Sequence, residues 1–365
     1  MVRRILMHMG PSVGNYRVML AGVAENVGFA TDEFVLAMKE SLHGVLEVMG
    51  GDDSYLPFII PGSGTAAMES VTTFLRRGDR VLVVSNGLFG DRWMRIFERY
   101  PVEVDSLKAT PGLTVTPEEI ASKSGGAKYR MTVMTHVETS TGVRAPVAEL
   151  IEAARQISEL TVVDGVASVG GENVEAVRWG ADVVLTASQK AIGAPPGLGL
   201  LAVRRNLLAG VKGEGVSGYF LDLHNWQPVM EGMLEGRGGY FATPPISTVL
   251  SLREAFRMSG EEGLENRIER HRAVASRIAD SVEGMGLGIV ASPGLRSNTV
   301  TGVMLNGLDM NAFLSGCIGR GVEFASGVHP VLKGKYIRIG HMGWVNQNDA
   351  AAAIAAIRGT IEGMN

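Results

Sequence analysis

The chain has 365 residues, enough for one large domain or two, with a core that needs no disulfide or metal to hold it. Its 34 Lys and Arg against 38 Asp and Glu give a formal net charge of -4, which excludes the basic excess of a nucleic-acid-binding surface. The single cysteine, Cys317, excludes an internal disulfide and a cysteine-based metal centre, and a reduced compartment is the default. No apolar run approaches the ~20 residues a membrane span needs. The N-terminal MVRRILMHMGPS is too short, and too interrupted by His8 and Gly10, for a secretory signal. The expectation is a cytoplasmic protein without nucleic-acid or membrane partners.

In chain order, Phe34, Leu36, Leu42, Val45, Leu46 and Met49 recur at helical spacing, which predicts a helix over residues 32–49 with Thr31 or Asp32 as its N-cap. FIIPGSGTAAMESVTTFLRRGDRVLVVSNG then reads as strand, Gly-rich turn, helix and a strand at 81–85. Further strand-like runs follow at 102–107, 131–135, 160–164, 183–186 and 198–203, alternating with helical stretches. That alternation predicts an α/β fold with a mostly parallel sheet sandwiched by helices. The rhythm changes beyond Leu252. One long amphipathic helix is predicted at 261–284, then strands at 287–290 and 300–305, a helix at 311–319, a strand at 336–339 and an Ala-rich helix at 347–361. The expected division is a large domain over residues 1–258, including the N-terminal segment, and a smaller C-terminal α/β domain over 259–365.

Two of the strands end in unusual residues. Residues 160–163 are apolar and run into Asp164; residues 183–185 lead to TASQKAIGAPPGLG, which carries Lys190. Ligands of open α/β sheets sit at the carboxyl ends of parallel strands. A lysine among Gly, Ala and Pro serves no helix face and points towards a cavity, and an unpaired carboxylate at an apolar strand end is expensive. Pyridoxal phosphate uses both groups, a lysine for its Schiff base and an aspartate against its pyridinium nitrogen. On the residues alone, Lys190 reads equally well as a surface loop lysine, and the alternative for Asp164 is a cap of the following turn. Ser63, Gly64 and Thr65, in PGSGTAAMES, open a helix whose N–H groups and dipole suit a phosphate. They lack the full dinucleotide or nucleoside-triphosphate pattern.

SQK followed by APPG, VDGVASVGG upstream of it, the GPS of residues 10–12 and IRIG at 337–340 together resemble the class V (fold type I) aminotransferases, on the alanine–glyoxylate and serine–pyruvate branch. The resemblance spans most of the chain. It implies a fold type I transferase with pyridoxal 5'-phosphate on Lys190, Asp164 at the ring nitrogen, and Ser63, Gly64, Thr65 and Gln189 on the phosphate. It also implies that Phe89 stacks on the ring where the family often has tryptophan, that Val166 covers the opposite face, and that Ser140 reaches the ring oxygen. Tyr240 and Thr243, in GGYFATPP, match a pair that reaches the neighbouring subunit's phosphate, which implies a homodimer with shared active sites. Arg338 matches the arginine that binds the substrate carboxylate, a role suited to its two parallel N–H donors. Ser140 and Gly28 complete the implied substrate pocket, although Gly28-Phe29-Ala30-Thr31 departs from the basic or polar pair common in the family.

The activity implied is ping-pong transfer of an amino group from alanine or serine to glyoxylate or pyruvate. Within the same fold, the alternative is a 2-aminoethylphosphonate–pyruvate transaminase. A cysteine desulfurase fits less well, because Cys317 falls in an apparent helix. A nucleotide-binding dehydrogenase leaves Lys190 without a role, and a non-catalytic binding protein leaves the lysine–aspartate pair without one. No metal is expected, since His8, His136, His329 and His341 lack ligand spacing.

Overall fold

Seven strands form the central sheet of the structure, a computed structural model that describes residues 4–23, 27–123, 128–210 and 215–364. They are β1 Tyr55–Pro61, β2 Arg80–Ser85, β3 Glu103–Lys108, β4 Tyr129–Thr135, β5 Ser158–Asp164, β6 Val183–Ala187 and β7 Leu198–Arg204. Their order across the sheet is β1-β7-β6-β5-β4-β2-β3. Only β7 runs against its neighbours, pairing antiparallel with both β1 and β6. The inner strands are rich in Val, Leu and Met with almost no exposed residue, as expected where helices cover both faces. The edge strand β3 instead carries Glu103, Asp105 and Lys108, charges that discourage another strand from adding to it.

Helix α1 spans Tyr16–Ala21, α2 Asp32–Met49, α3 Gly64–Ser70 and α4 Leu88–Phe97. Thr31 is the N-cap of α2, its hydroxyl accepting from the Phe34 N–H, and Gly50 ends the helix in the left-handed region at φ 61°. The helix predicted at 261–284 begins three residues later, as α6 Leu264–Gly284, and its first two predicted residues are the end of a separate helix, α5 Ile246–Glu262. Gly263, at φ 80°, breaks them. The apolar and charged periodicity runs on through this glycine, so the pattern alone concealed the turn. Glu262 then bridges it, accepting from Arg267 and Arg270 of the next helix.

The second body has its own sheet of β8 Gly288–Ile289, β9 Val300–Met304, β10 Ala325–Ser326 and β11 Tyr336–Gly340, antiparallel in the order β8-β9-β11-β10. Val274, Ile278, Val303, Phe313, Ile337 and Ile357 build a core separate from that of the large body. Helix α5 packs on α1 and α2 and so lies with the large body throughout its length. The N-terminal segment touches both bodies: α1 packs on α5, whereas residues 5–7 lie with the small one. Ile5–Leu6 pairs in parallel with Val322–Glu323, and the Met7 side chain joins the small core. The Gly340 N–H then donates to the Met7 carbonyl at 2.8 Å. These first apolar residues find their cover on the small body, not the large one.

Candidate active site

The carboxyl ends of β1, β2, β4 and β5, with the turn beyond β6, converge on one side of the large sheet, and the chain at Met9–Gly10 closes over them. The cavity there encloses roughly 680 Å3 of space, including its open mouth. Ser63, Gly64 and Thr65 line it from the start of α3, Phe89 from the start of α4, Asp164 and Val166 from the end of β5, and Gln189 and Lys190 from the turn after β6.

Lys190 points its amine at the Met9 carbonyl, to which Nζ donates. Burial pushes its pKa down to about 8, with the charges of Arg338 and Arg92 helping and Asp164 opposing. Gly10 leaves room for this side chain. A Cβ there would come within 2.8 Å of Lys190 Cδ, Cε and Nζ, at a φ of +121° that side-chain-bearing residues rarely adopt. Asp164 is 3% exposed, and burial raises its pKa to about 6 although Oδ1 accepts from the Val166 N–H at 3.0 Å and Oδ2 from the Trp93 indole at 3.2 Å. A buried carboxylate with this cost gains from a cation held opposite it.

At the anion end, Thr65 Oγ1 accepts from Arg92 Nη1 at 3.1 Å, and the Arg92 guanidinium lies 4.7 Å from the centre of the Phe89 ring. Gln189 Oε1 is buried with no hydrogen-bond partner. Gly64 is the close-packed point of the floor: a Cβ there would fall 2.9 Å from Val166 Cγ2.

The remaining residues fall elsewhere. Ser140 is fully buried behind the cavity wall, its hydroxyl accepting from the Leu88 N–H at 3.1 Å; its neighbour Thr139 lines the cavity instead. Both residues lie in the turn that leaves the short strand Val137–Glu138, and the way that turn departs sets which of them faces the cavity. Arg338 is buried rather than solvent-facing. Its Nε donates to the Ser326 carbonyl at 2.9 Å and Nη1 to the Thr139 carbonyl at 3.4 Å, and no acid pairs with it among the described residues. Tyr240 is 60% exposed, with its hydroxyl 3.4 Å from Thr243 Oγ1 and its ring 5.0 Å from Phe29, so this pair and Gly28 lie outside the cavity of their own chain.

Four participants had not been singled out in the sequence. Arg92 carried a signal, since it follows Phe89 by three residues on one helix and so shares its face. Thr139 adjoins Ser140, the residue to which the resemblance points. Trp93 and Glu138 act across 71 and 49 residues respectively, and nothing local announces such contacts.

The arrangement fits pyridoxal phosphate: a lysine and an aspartate buried in one cavity, a helix start with the Thr65 hydroxyl and the Arg92 guanidinium at one end, and a flat ring on the wall. A mostly parallel seven-stranded sheet carrying such a site defines a fold type I pyridoxal-phosphate enzyme. The family model described as aminotransferase class-V matches residues 14–349, and the chain belongs to that family as a pyridoxal-phosphate-dependent aminotransferase. It is 36% identical over 351 residues to alanine–glyoxylate aminotransferase 1 of Saccharomyces cerevisiae, covering 92% of this chain and 90% of that protein. It is 32% identical over 329 residues to the L-aspartate–glyoxylate aminotransferase of Paracoccus denitrificans, covering 87% of this chain and 81% of that one. The crystal structure of an alanine–glyoxylate aminotransferase from Nostoc sp. superposes with a TM-score of 0.91 at 28% identity, covering 98% of this chain and 95% of the other.

Proposed function

We propose that this aminotransferase moves the amino group of a small amino acid, alanine or serine, to glyoxylate or pyruvate, and that it works as a homodimer. The observation that carries the substrate reading is Arg338, a buried guanidinium without an acid partner among the described residues, close enough to the Lys190 amine to lower its pKa. A buried cation of this kind matches one carboxylate, and its fork fixes orientation as well as charge. The relatives named for alanine–glyoxylate and aspartate–glyoxylate exchange share glyoxylate as a substrate.

In this reading Ser63, Gly64, Thr65 and Gln189 hold the phosphate, Phe89 and Val166 enclose the ring, Thr139 faces it from the cavity wall, and Asp164 keeps the ring nitrogen protonated. Bound pyridoxal phosphate supplies an electron sink that acidifies the substrate α-carbon. Lys190 Nζ takes the proton from that carbon, and a pKa near 8 leaves part of its population neutral at physiological pH. Arg338 holds the carboxylate, and Met9 and Gly10 keep water from the amine.

The homodimer is supported by an aromatic patch in which Phe29 touches Tyr240 and Phe241 touches both Tyr219 and Phe220, with Tyr219 78% exposed. Patches of this kind mark contact surfaces.

Half-reactions followed by absorbance test the proposal. The visible band of the purified protein is expected to bleach with alanine or serine and to return with glyoxylate or pyruvate, while 2-aminoethylphosphonate leaves it unchanged. Lys190→Ala is expected to lose both band and turnover, and retained turnover would end the assignment. Aspartate as the best donor would move the substrate class to dicarboxylates.

A further inference from the structure

Glu138 is fully buried, with no basic side chain at ion-pair distance among the described residues. Three backbone donors surround its carboxylate instead. Oε2 accepts from the N–H groups of Phe89 and Gly90, each at 3.0 Å, and Oε1 accepts from the Ser140 N–H at 2.9 Å. Phe89 and Gly90 belong to the first turn of α4, whose N–H groups have no partner within the helix, and an acid there also gains from the helix dipole. The same turn presents Phe89 and Arg92 to the cavity.

The other oxygen fixes a second wall. Bonding the Ser140 N–H closes the turn that carries Thr139, and the Thr139 carbonyl accepts from Arg338 while the Ser140 carbonyl accepts from the Tyr336 hydroxyl. Tyr336 Oη in turn accepts from the N–H groups of Val328 and His329 at 3.1 and 3.0 Å. One carboxylate therefore joins the helix bearing the aromatic ring to the turn that orients the arginine.

We propose that Glu138 is a positioning residue for the transamination, holding the Phe89 ring and the Arg338 guanidinium in a single frame. The roles of Phe89 and Arg338 rest on the proposed function; the frame itself does not. Substrate spans the distance between ring and arginine, so independent drift of the two walls would misalign the α-carbon against Lys190. Glutamine is nearly isosteric with Glu138 but has a single acceptor oxygen. Its NH2 must face either the Ser140 N–H or the Phe89 and Gly90 pair, donor against donor.

Hydrogen exchange on wild-type apoprotein tests the frame without substrate. The amides of Phe89, Gly90 and Ser140 are expected to exchange at least a hundredfold more slowly than those of open loops. In Glu138→Gln at least one of these sites is expected to lose protection. The reconstituted variant is expected to show weaker circular dichroism at the visible cofactor band, with KM for the amino donor raised about tenfold and kcat lowered. Thr132→Val, which removes a buried hydroxyl pair with Ser158 within the sheet, controls for a general loss of stability.

The proposal is overturned if the wild-type amides exchange like open loops. It also fails if Glu138→Gln matches wild type in exchange, dichroism and KM, or differs only as the control does. Should the glutamine variant not fold, the wild-type exchange and Glu138→Asp, which keeps the charge but is one methylene too short to reach both walls, decide the question. If alanine and serine prove not to be donors while exchange and dichroism respond as expected, the substrate reading falls and the frame stands.

Discussion

Glu172 carries a carboxyl into the junction between the two bodies with only part of its hydrogen bonding met. Oε1 accepts from the Asn298 N–H, while Oε2 has no hydrogen bond and only a loose ion pair, with Arg144 Nη1 at 3.6 Å. Burial raises its pKa from 4.5 to about 7. Between those values the folded chain binds more protons than the unfolded one, so this group's contribution to stability falls as pH rises through the window. Glu172→Gln keeps an acceptor for Asn298 and removes the charge. The variant is expected to gain stability relative to wild type at pH 8 but not at pH 4, by roughly 2–3 kcal/mol at most, read from denaturant midpoints. An equal difference at both pH values would refute it. A second titration concerns Lys190. Uptake of pyridoxal phosphate by apoprotein is expected to quicken as pH rises through about 8, because only the neutral amine is nucleophilic. A stopped-flow pH series measures this, and a flat profile would count against burial of the amine. At this scale the sequence was readable where a charge ends an apolar run, as Asp164 does, or stands among Gly, Ala and Pro beyond one, as Lys190 does. It was silent where partners come from afar: Glu172 meets Asn298 across 126 residues.

Among the elements, strands and helices of the large body follow from apolar runs and their caps, and the strand ends locate the cavity. The turns were harder. Gly263 lies inside a continuous helical pattern, and the position of Thr139 against Ser140 depends on how one turn leaves its strand. Nothing in the composition of either segment distinguishes those cases. The Gly10 turn yields a direct test, since its contact with Lys190 admits no side chain. Gly10→Ala is expected to remain folded, with a Tm lowered by a few degrees, and to release pyridoxal phosphate at least tenfold more readily as Lys190 is displaced. Absorbance titration with the cofactor measures the change, and unchanged affinity would show that the turn yields instead of the lysine.

For the whole molecule, the exposed aromatic patch and the outward-facing Tyr240 and Thr243 set the expectation of a pair of chains. Sedimentation equilibrium should give about twice the 38.8 kDa of one chain. Replacing Tyr219 and Tyr240 together with aspartate should shift the mass towards one chain and weaken cofactor retention in the same dilution range. A monomeric wild-type protein with full activity would dismiss the shared site. The N-terminal run from Ile5 to Gly10 has a practical consequence for handling the protein. It is stitched to Val322–Glu323 of the small body at Ile5–Leu6 and reaches the Lys190 amine only a few residues later. A protease that trims past Met9 would therefore silence the enzyme while leaving the large sheet intact, and an affinity handle is better fused behind the last helix, Gln347–Met364, than ahead of Arg4.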